Sequence, residues 1–169
     1  MNKTASFTGQ RPKDLGSYNP KDLAPFLWEV QKVIISYIEN KNCDTFIAGG
    51  ALGFDLWAAR IVIKLKEKYP HIKLISALPC RNQSKMWSKA SQEEWQFVID
   101  NSDEVVLVTD EDYKPYLMQK RNEFMVDKAD FIIAGHNGNT HGGTFNCLQY
   151  ARKKIKEENI TIINPNDYV

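Results

Sequence analysis

No apolar run in this 169-residue chain is long enough to cross a bilayer, and its opening stretch, MNKTASFTGQRP, holds no apolar signal core. Cysteine is scarce. Cys43, Cys80 and Cys147 stand far apart and form no CxxC pair, and an odd, scattered set of this kind points to reduced thiols rather than a disulfide frame. The expectation is a soluble cytoplasmic domain with no membrane partner. An excess of charge is missing as well: 22 Lys and Arg against 21 Asp and Glu leave a net +1, which counts against a dedicated duplex-DNA binder. The chain contains no GxGxxG, no GKS/T and no GxSxG. A standard NAD fingerprint, a P-loop and a serine-hydrolase elbow are thereby disfavoured. His71, His136 and His141 form no common zinc pattern with any cysteine, so no metal is expected.

What is present is ordinary globular material, 43% apolar and 25% charged, of a length that makes residues 1–169 one domain. Short β-branched and apolar runs at 3–8, 44–48, 72–78, 104–108, 130–134 and 160–163 read as strands buried on both faces. Helical patterns separate them. Asn19-Pro20 reads as a cap followed by proline at the first helical position, ahead of the apolar stripe Leu23, Phe26, Leu27, Val30, Ile34 and Ile38. Leu52, Leu56, Ala59 and Ile63 form a second stripe, Ser91 and Glu94 fit a capping box, Pro115 opens another helix, and Leu148, Ala151 and Ile155 line the last. Repeated strand–helix–strand units predict an α/β fold, a doubly wound and mainly parallel sheet with helices on both faces. Trp28, Trp57 and Trp95 fall in helical patterns and are expected in the core. Trp87, in a polar stretch, fits either helix packing or stacking on a base.

The nine glycines are unevenly placed: each lies between the end of a candidate strand and the next helix, and none is expected to cap a helix C-terminus. In an open α/β sheet those loops share one edge, where ligands bind. AGGALGFD (48–55) either bares amides for a phosphate or lets a helix cross a strand closely, with Asp55 as a first-turn acid. HNGNTHGGTFN (136–146) is a second such loop, with Thr144 in the first helical turn. SFTGQRP (6–12) offers Arg11, either to a phosphate or as a surface residue stiffened by Pro12. On spacing alone, Arg121 and Asn122 read as salt-bridge or capping residues.

In chain order, SFTGQRP, GGALGFDLWAAR, RNEFMVD and GGTFNCLQYA resemble the YpsA-like family of the SLOG superfamily, over nearly the whole chain. GGALGFD is also similar to the glycine loop of the DNA-processing protein DprA, a more distant member. The resemblance implies a Rossmann-like fold and a pocket for nucleotides or nucleotide-derived ligands, including NAD- or ADP-ribose-like molecules, with no further cofactor required. Carried over by position, the ligand-binding residues are Gly9, Arg11, Gly49, Gly50, Gly53, Asp55, Arg121, Asn122, Gly142, Gly143 and Thr144, joined by their loop neighbours Thr8, Gln10 and Ala51. Two departures stand out. The family usually has histidine where this chain has Gln10, which removes a proton-transfer group. The lonely-guy phosphoribohydrolases carry a glutamate shortly after their glycine motif, whereas here the next glutamate after Thr144 is Glu157.

The expected function is therefore binding of a nucleotide-derived ligand as a sensor or regulator, or as a sponge for a nucleotide signal in a phage-borne version. The family is associated with cell-division control and stress. The first alternative is a nucleotide or nucleoside N-glycosidase or transferase using Asp55, Glu123 or Asp127, since such cleavage needs a placed carboxylate. The second is a DprA-like single-stranded DNA binder, which the near-neutral charge opposes. Association with further copies or with a protein partner is left open.

Overall fold

The apolar runs become six strands of one sheet, each within a residue or two of its expected span. The computed structural model describes residues 2–169. In chain order the elements are β1 (Lys3–Gly9), α1 (Pro12–Leu15), α2 (Ala24–Asn40), β2 (Cys43–Ala48), α3 (Phe54–Leu65), β3 (Lys73–Leu78), α4 (Lys89–Asp100), β4 (Glu104–Leu107), α5 (Pro115–Asp127), β5 (Phe131–Gly135), α6 (Gly143–Lys154) and β6 (Ile160–Ile163). The strand order is β4-β3-β2-β1-β5-β6 and every pairing is parallel. The chain lays β1 to β4 outward in one direction, then returns to set β5 on the other side of β1. The loops after β1 and β5 diverge there, which makes a topological switch point, the place where open α/β sheets bind ligands. α2, α3 and α4 pack together, and α5 packs with α6, giving a helical layer on each face.

One contact fixes the switch point. Gly9 and Gly135 end their strands side by side in register, and the fully buried Phe54 ring lies across both. A Cβ on Gly9 would sit 2.3 Å from Phe54 Cβ, and one on Gly135 would sit 2.3 Å from Phe54 Cδ1. Phe54 also meets Phe7 edge-on at 6.1 Å and Phe26 at 6.2 Å, which joins it to the main core. A smaller core of Val126, Ile132, Cys147, Leu148 and Ala151 lies on the α5–α6 side. All three cysteines are buried and free. Burial pushes the Cys43 thiol up to about 12 and Cys147 to about 11, so both stay protonated and unreactive at neutral pH.

Four local expectations need correction. Asn19 caps a 3-10 turn, Pro20–Leu23, rather than the long helix. Pro25 has no N–H to return to Lys21, so the chain winds one tight turn and restarts as α2. The cap of α4 is Ser88, whose Oγ accepts the Ser91 N–H at 3.2 Å, which starts the helix a turn earlier than Ser91. Gly16 does cap a helix C-terminus: at φ 110° it closes α1, its N–H donating to Pro12 O at 3.0 Å. Trp28 is 62% exposed rather than core, because Phe26, Val30 and Ile34 point to the opposite side of α2. Trp57 is buried as expected. Trp95 is partly so, its Nε1 donating to Gln83 Oε1 at 3.1 Å. Trp87 packs against the main core.

Gly9→Ala is expected to destabilise the fold by about 3 kcal/mol, the upper range for overpacking, read as a lowered urea midpoint. Phe54→Ala is expected to cost about 3–5 kcal/mol. The double variant Gly135→Ala/Phe54→Ala is expected to cost less than the sum of its single changes, because the atoms a Cβ on Gly135 would meet, Phe54 Cδ1, Cε1 and Cγ, all leave with the ring. Strict additivity would show that the two positions do not share that contact.

Candidate functional site

A cleft of about 270 Å³ opens at the switch point. It is lined by Thr8, Gly9, Gln10 and Arg11 after β1, Asp14 of α1, Ala51 and Asp55 at the start of α3, Met118, Arg121 and Asn122 of α5, and Asn139, His141, Gly142, Gly143 and Thr144 leading into α6. A larger and more apolar groove of about 450 Å³ lies between α2, α3 and α4, and none of the glycine loops contributes to it.

The glycines separate into two kinds. Gly49, Gly50 and Gly53 do not line the cleft. A Cβ on Gly49 would meet the Arg121 guanidinium at 2.6 Å, and one on Gly53 would meet Gln10 O at 2.7 Å. Gly50 and Gly53 also have positive φ, 74° and 91°. The first-turn amide of Phe54 donates to Gln10 O at 3.2 Å. In the GGALGFD loop, then, these three glycines serve close packing of a helix on strand ends. Gly142 and Gly143 differ in their surroundings: a Cβ on either would meet nothing within 4 Å, although Gly142, at φ 92°, shares the positive φ of Gly50 and Gly53. They leave the main chain at the α6 N-terminus bare toward the cleft, where first-turn amides have no intrahelical acceptor.

Charge in the cleft centres on Asp55 and Arg121, respectively 4% and 3% exposed. Arg121 Nη1 donates to the carbonyls of Gly49 and Ala77, and its Nε donates to Asn122 Oδ1 at 3.0 Å. Among the described residues, Asp55 Oδ1 has no hydrogen-bond partner. Burial raises the Asp55 carboxyl above its usual value, while Arg121, an Ala51 backbone hydrogen bond and Arg11 oppose that rise. Burial lowers the Arg121 guanidinium and Asp55 opposes the fall. Arg11 is exposed; its carbonyl accepts the Asp14 and Leu15 N–H groups at 3.0 and 3.1 Å, while its guanidinium forms no hydrogen bond or salt bridge among the described residues. The backbone at Arg11 is set by Pro12, which opens α1 immediately after it.

Of the three carboxylates considered for catalysis, only Asp55 reaches the cleft. Glu123 accepts from Gln119 Nε2 at 3.2 Å and Asp127 from Tyr150 Oη at 2.8 Å, and neither is part of the lining. Four lining residues were not among the expected site residues: Asp14, Met118, Asn139 and His141. Asn139 and His141 lie inside the HNGNTHGGT loop and were within reach of that motif. Asp14 and Met118 carry no sequence signal. Among the described residues, no cluster of three His, Cys, Asp or Glu is placed to hold a metal. No described helix is long and apolar enough to cross a membrane.

The YpsA family model, described as the YspA SLOG family, matches residues 5–168. The chain belongs to this family. It is 30% identical over 98% of its length to the UPF0398 protein BH1768 of Halalkalibacterium halodurans, covering 89% of that protein. It is 38% identical over 79% of its length to the SPbeta prophage-derived protein YoqJ of Bacillus subtilis, covering 84% of it. Among solved structures, DNA processing protein A of Helicobacter pylori, described for its single-stranded DNA binding mode, aligns with TM-score 0.61 at 14% identity over 98% of this chain and 70% of that one. DprA of Streptococcus pneumoniae aligns with TM-score 0.62 at 12% identity over 98% of this chain and 60% of its own. At these identities the likeness is one of fold.

Arg121→Met is expected to destabilise the protein by about 3 kcal/mol at pH 8, because it leaves the Asp55 carboxylate buried without its main favourable charge. A raised folded-state pKa means that stability is fully present below the unfolded value and lost as pH rises through the folded one. The deficit of the variant is therefore expected to shrink as pH falls from 8 toward 5, measured by urea unfolding at both. An equal deficit at the two values would remove Asp55 from the explanation.

Proposed function

We propose that this member of the YpsA SLOG family binds a nucleotide-derived ligand of the ADP-ribose, NAD or mononucleotide class in the switch-point cleft, as a sensor or regulator, or as a sponge if phage-borne. The observation that carries the reading is the open pair Gly142 and Gly143 at the N-terminus of α6, glycines that no packing contact requires. They border the same cleft as Arg11, a cation without a salt-bridge partner among the described residues. Bare first-turn amides, the positive end of the helix dipole and a free guanidinium together suit a phosphate. Asp55 Oδ1, buried and unpartnered in the same cleft, suits a hydroxyl donor such as a ribose.

Turnover has less support. Only Asp55 among the proposed carboxylates lines the cleft, and a carboxyl raised by burial fits a general acid better than a nucleophile. A single-stranded DNA reading draws on the fold shared with the Helicobacter pylori protein, while the net charge of +1 opposes it.

Isothermal titration with ADP-ribose, NAD and AMP tests the proposal. At least one is expected to bind, and Arg11→Ala is expected to weaken it about tenfold or more, the scale of a lost charge-assisted contact. Binding of none of the three, together with a gel shift on single-stranded oligonucleotide that fades as salt rises, would transfer the site to nucleic acid. Release of free base or nicotinamide during incubation would make the protein an enzyme.

A further inference from the structure

Gln10 lines the cleft, and the ligand reading makes no use of its side chain. It is nevertheless only 6% exposed at the tip of β1. Its Nε2 donates to Asn137 Oδ1 at 3.1 Å, and its Oε1 accepts the Asn137 main-chain N–H at 2.8 Å. This pair of bonds bridges the loops after β1 and β5 across the switch point. Asn137 extends it, Oδ1 accepting the Asn139 N–H at 3.0 Å and Nδ2 donating to Asp14 O at 3.2 Å. Asn139 Oδ1 meets His136 Nε2 at 3.0 Å. The strand tip, α1 and the segment 136–142 thus share one network, and Gln10, Asp14 and Asn139 also line the cleft.

We propose that Gln10 is a positioning residue: its carboxamide clamps Asn137 and thereby holds the 136–142 segment where Asn139, His141 and Gly142 form one wall of the cleft. The consequence for affinity rests on the ligand reading above, whereas the clamp itself does not. Chemistry narrows the choice at position 10. The contact needs a donor and an acceptor side by side, which a carboxamide supplies. A carboxylate keeps the acceptor but turns a second oxygen toward Asn137 Oδ1, and a thioether offers neither bond. The segment has reason to need a clamp. Gly138 and Gly142 both take φ 92°, and a Cβ on either would touch nothing. Two unbraced glycines four residues apart give the loop wide conformational freedom unless something outside it fixes its middle.

Amide hydrogen exchange followed by NMR on the full chain without ligand tests the clamp in wild type, Gln10→Met and Gln10→Glu. The Asn137 amide is expected to exchange about tenfold faster or more in Gln10→Met, the scale of a lost buried hydrogen bond. Gln10→Glu is expected to fall between, with Leu148 in α6 unchanged in both. Unchanged exchange at Asn137, or equal acceleration at Leu148, overturns the clamp. Titration with ADP-ribose supplies the second readout: a Kd raised about tenfold in Gln10→Met with Gln10→Glu between supports positioning. An equal Kd despite faster exchange overturns it. If ADP-ribose fails to bind the wild type, NAD and AMP replace it in the titration, and if none of the three binds, the ligand reading is lost and the exchange result alone decides the clamp.

Discussion

The Phe54 ring on the paired glycines Gly9 and Gly135 sets everything at the carboxyl edge of the sheet. A side chain on either glycine would lift the start of α3 off the strand ends. With both absent, the ring settles into the core, a burial worth about 2–3 kcal/mol, and the helix begins directly over the switch point. The next residue, Asp55, is thereby delivered into the cleft. Tight packing on one side of the α3 N-terminus and an open cleft on the other follow from the same close approach.

That placement is costly for Asp55. A carboxylate at 4% exposure with one oxygen unpartnered has lost its hydration, and its compensation comes from Arg121, the Ala51 backbone and Arg11. Arg121 in turn is committed to the Gly49 and Ala77 carbonyls, tying α5 to the ends of β2 and β3. The pair therefore does structural service through the arginine and leaves the carboxylate turned to the cleft. A buried polar atom without a partner is rare in a folded protein and calls for an explanation. A ligand hydroxyl would complete the set.

All six strands and their parallel arrangement were legible in the sequence, because β-branched runs between helical stripes admit few other folds. The misses were local and had local causes. Proline at position 25 splits one helical signal into a tight turn and a helix, and Ser88 outcompetes Ser91 by lying one turn earlier. Apolar spacing identified α2, and Trp28 was expected inside for its bulk and helical setting, although it stands off the stripe of Phe26, Val30 and Ile34 and so faces out. The glycines show the limit best. GGALGFD and HNGNTHGG look alike as sequence, yet Gly49 and Gly53 abut Arg121 and Gln10, while Gly142 and Gly143 face open space. Only the neighbours contributed by distant parts of the chain distinguish a glycine that packs from one that leaves room. Asp14 and Met118 were invisible for the same reason.

Native mass spectrometry of the freshly purified protein tests the central claim most directly, followed by denaturing extraction and identification of any released small molecule. The account predicts a phosphate-bearing adduct, retained on the wild type or formed on adding ADP-ribose, NAD or AMP, and diminished in Arg11→Ala. A bare chain mass under all of these conditions, in wild type and variant alike, would contradict it.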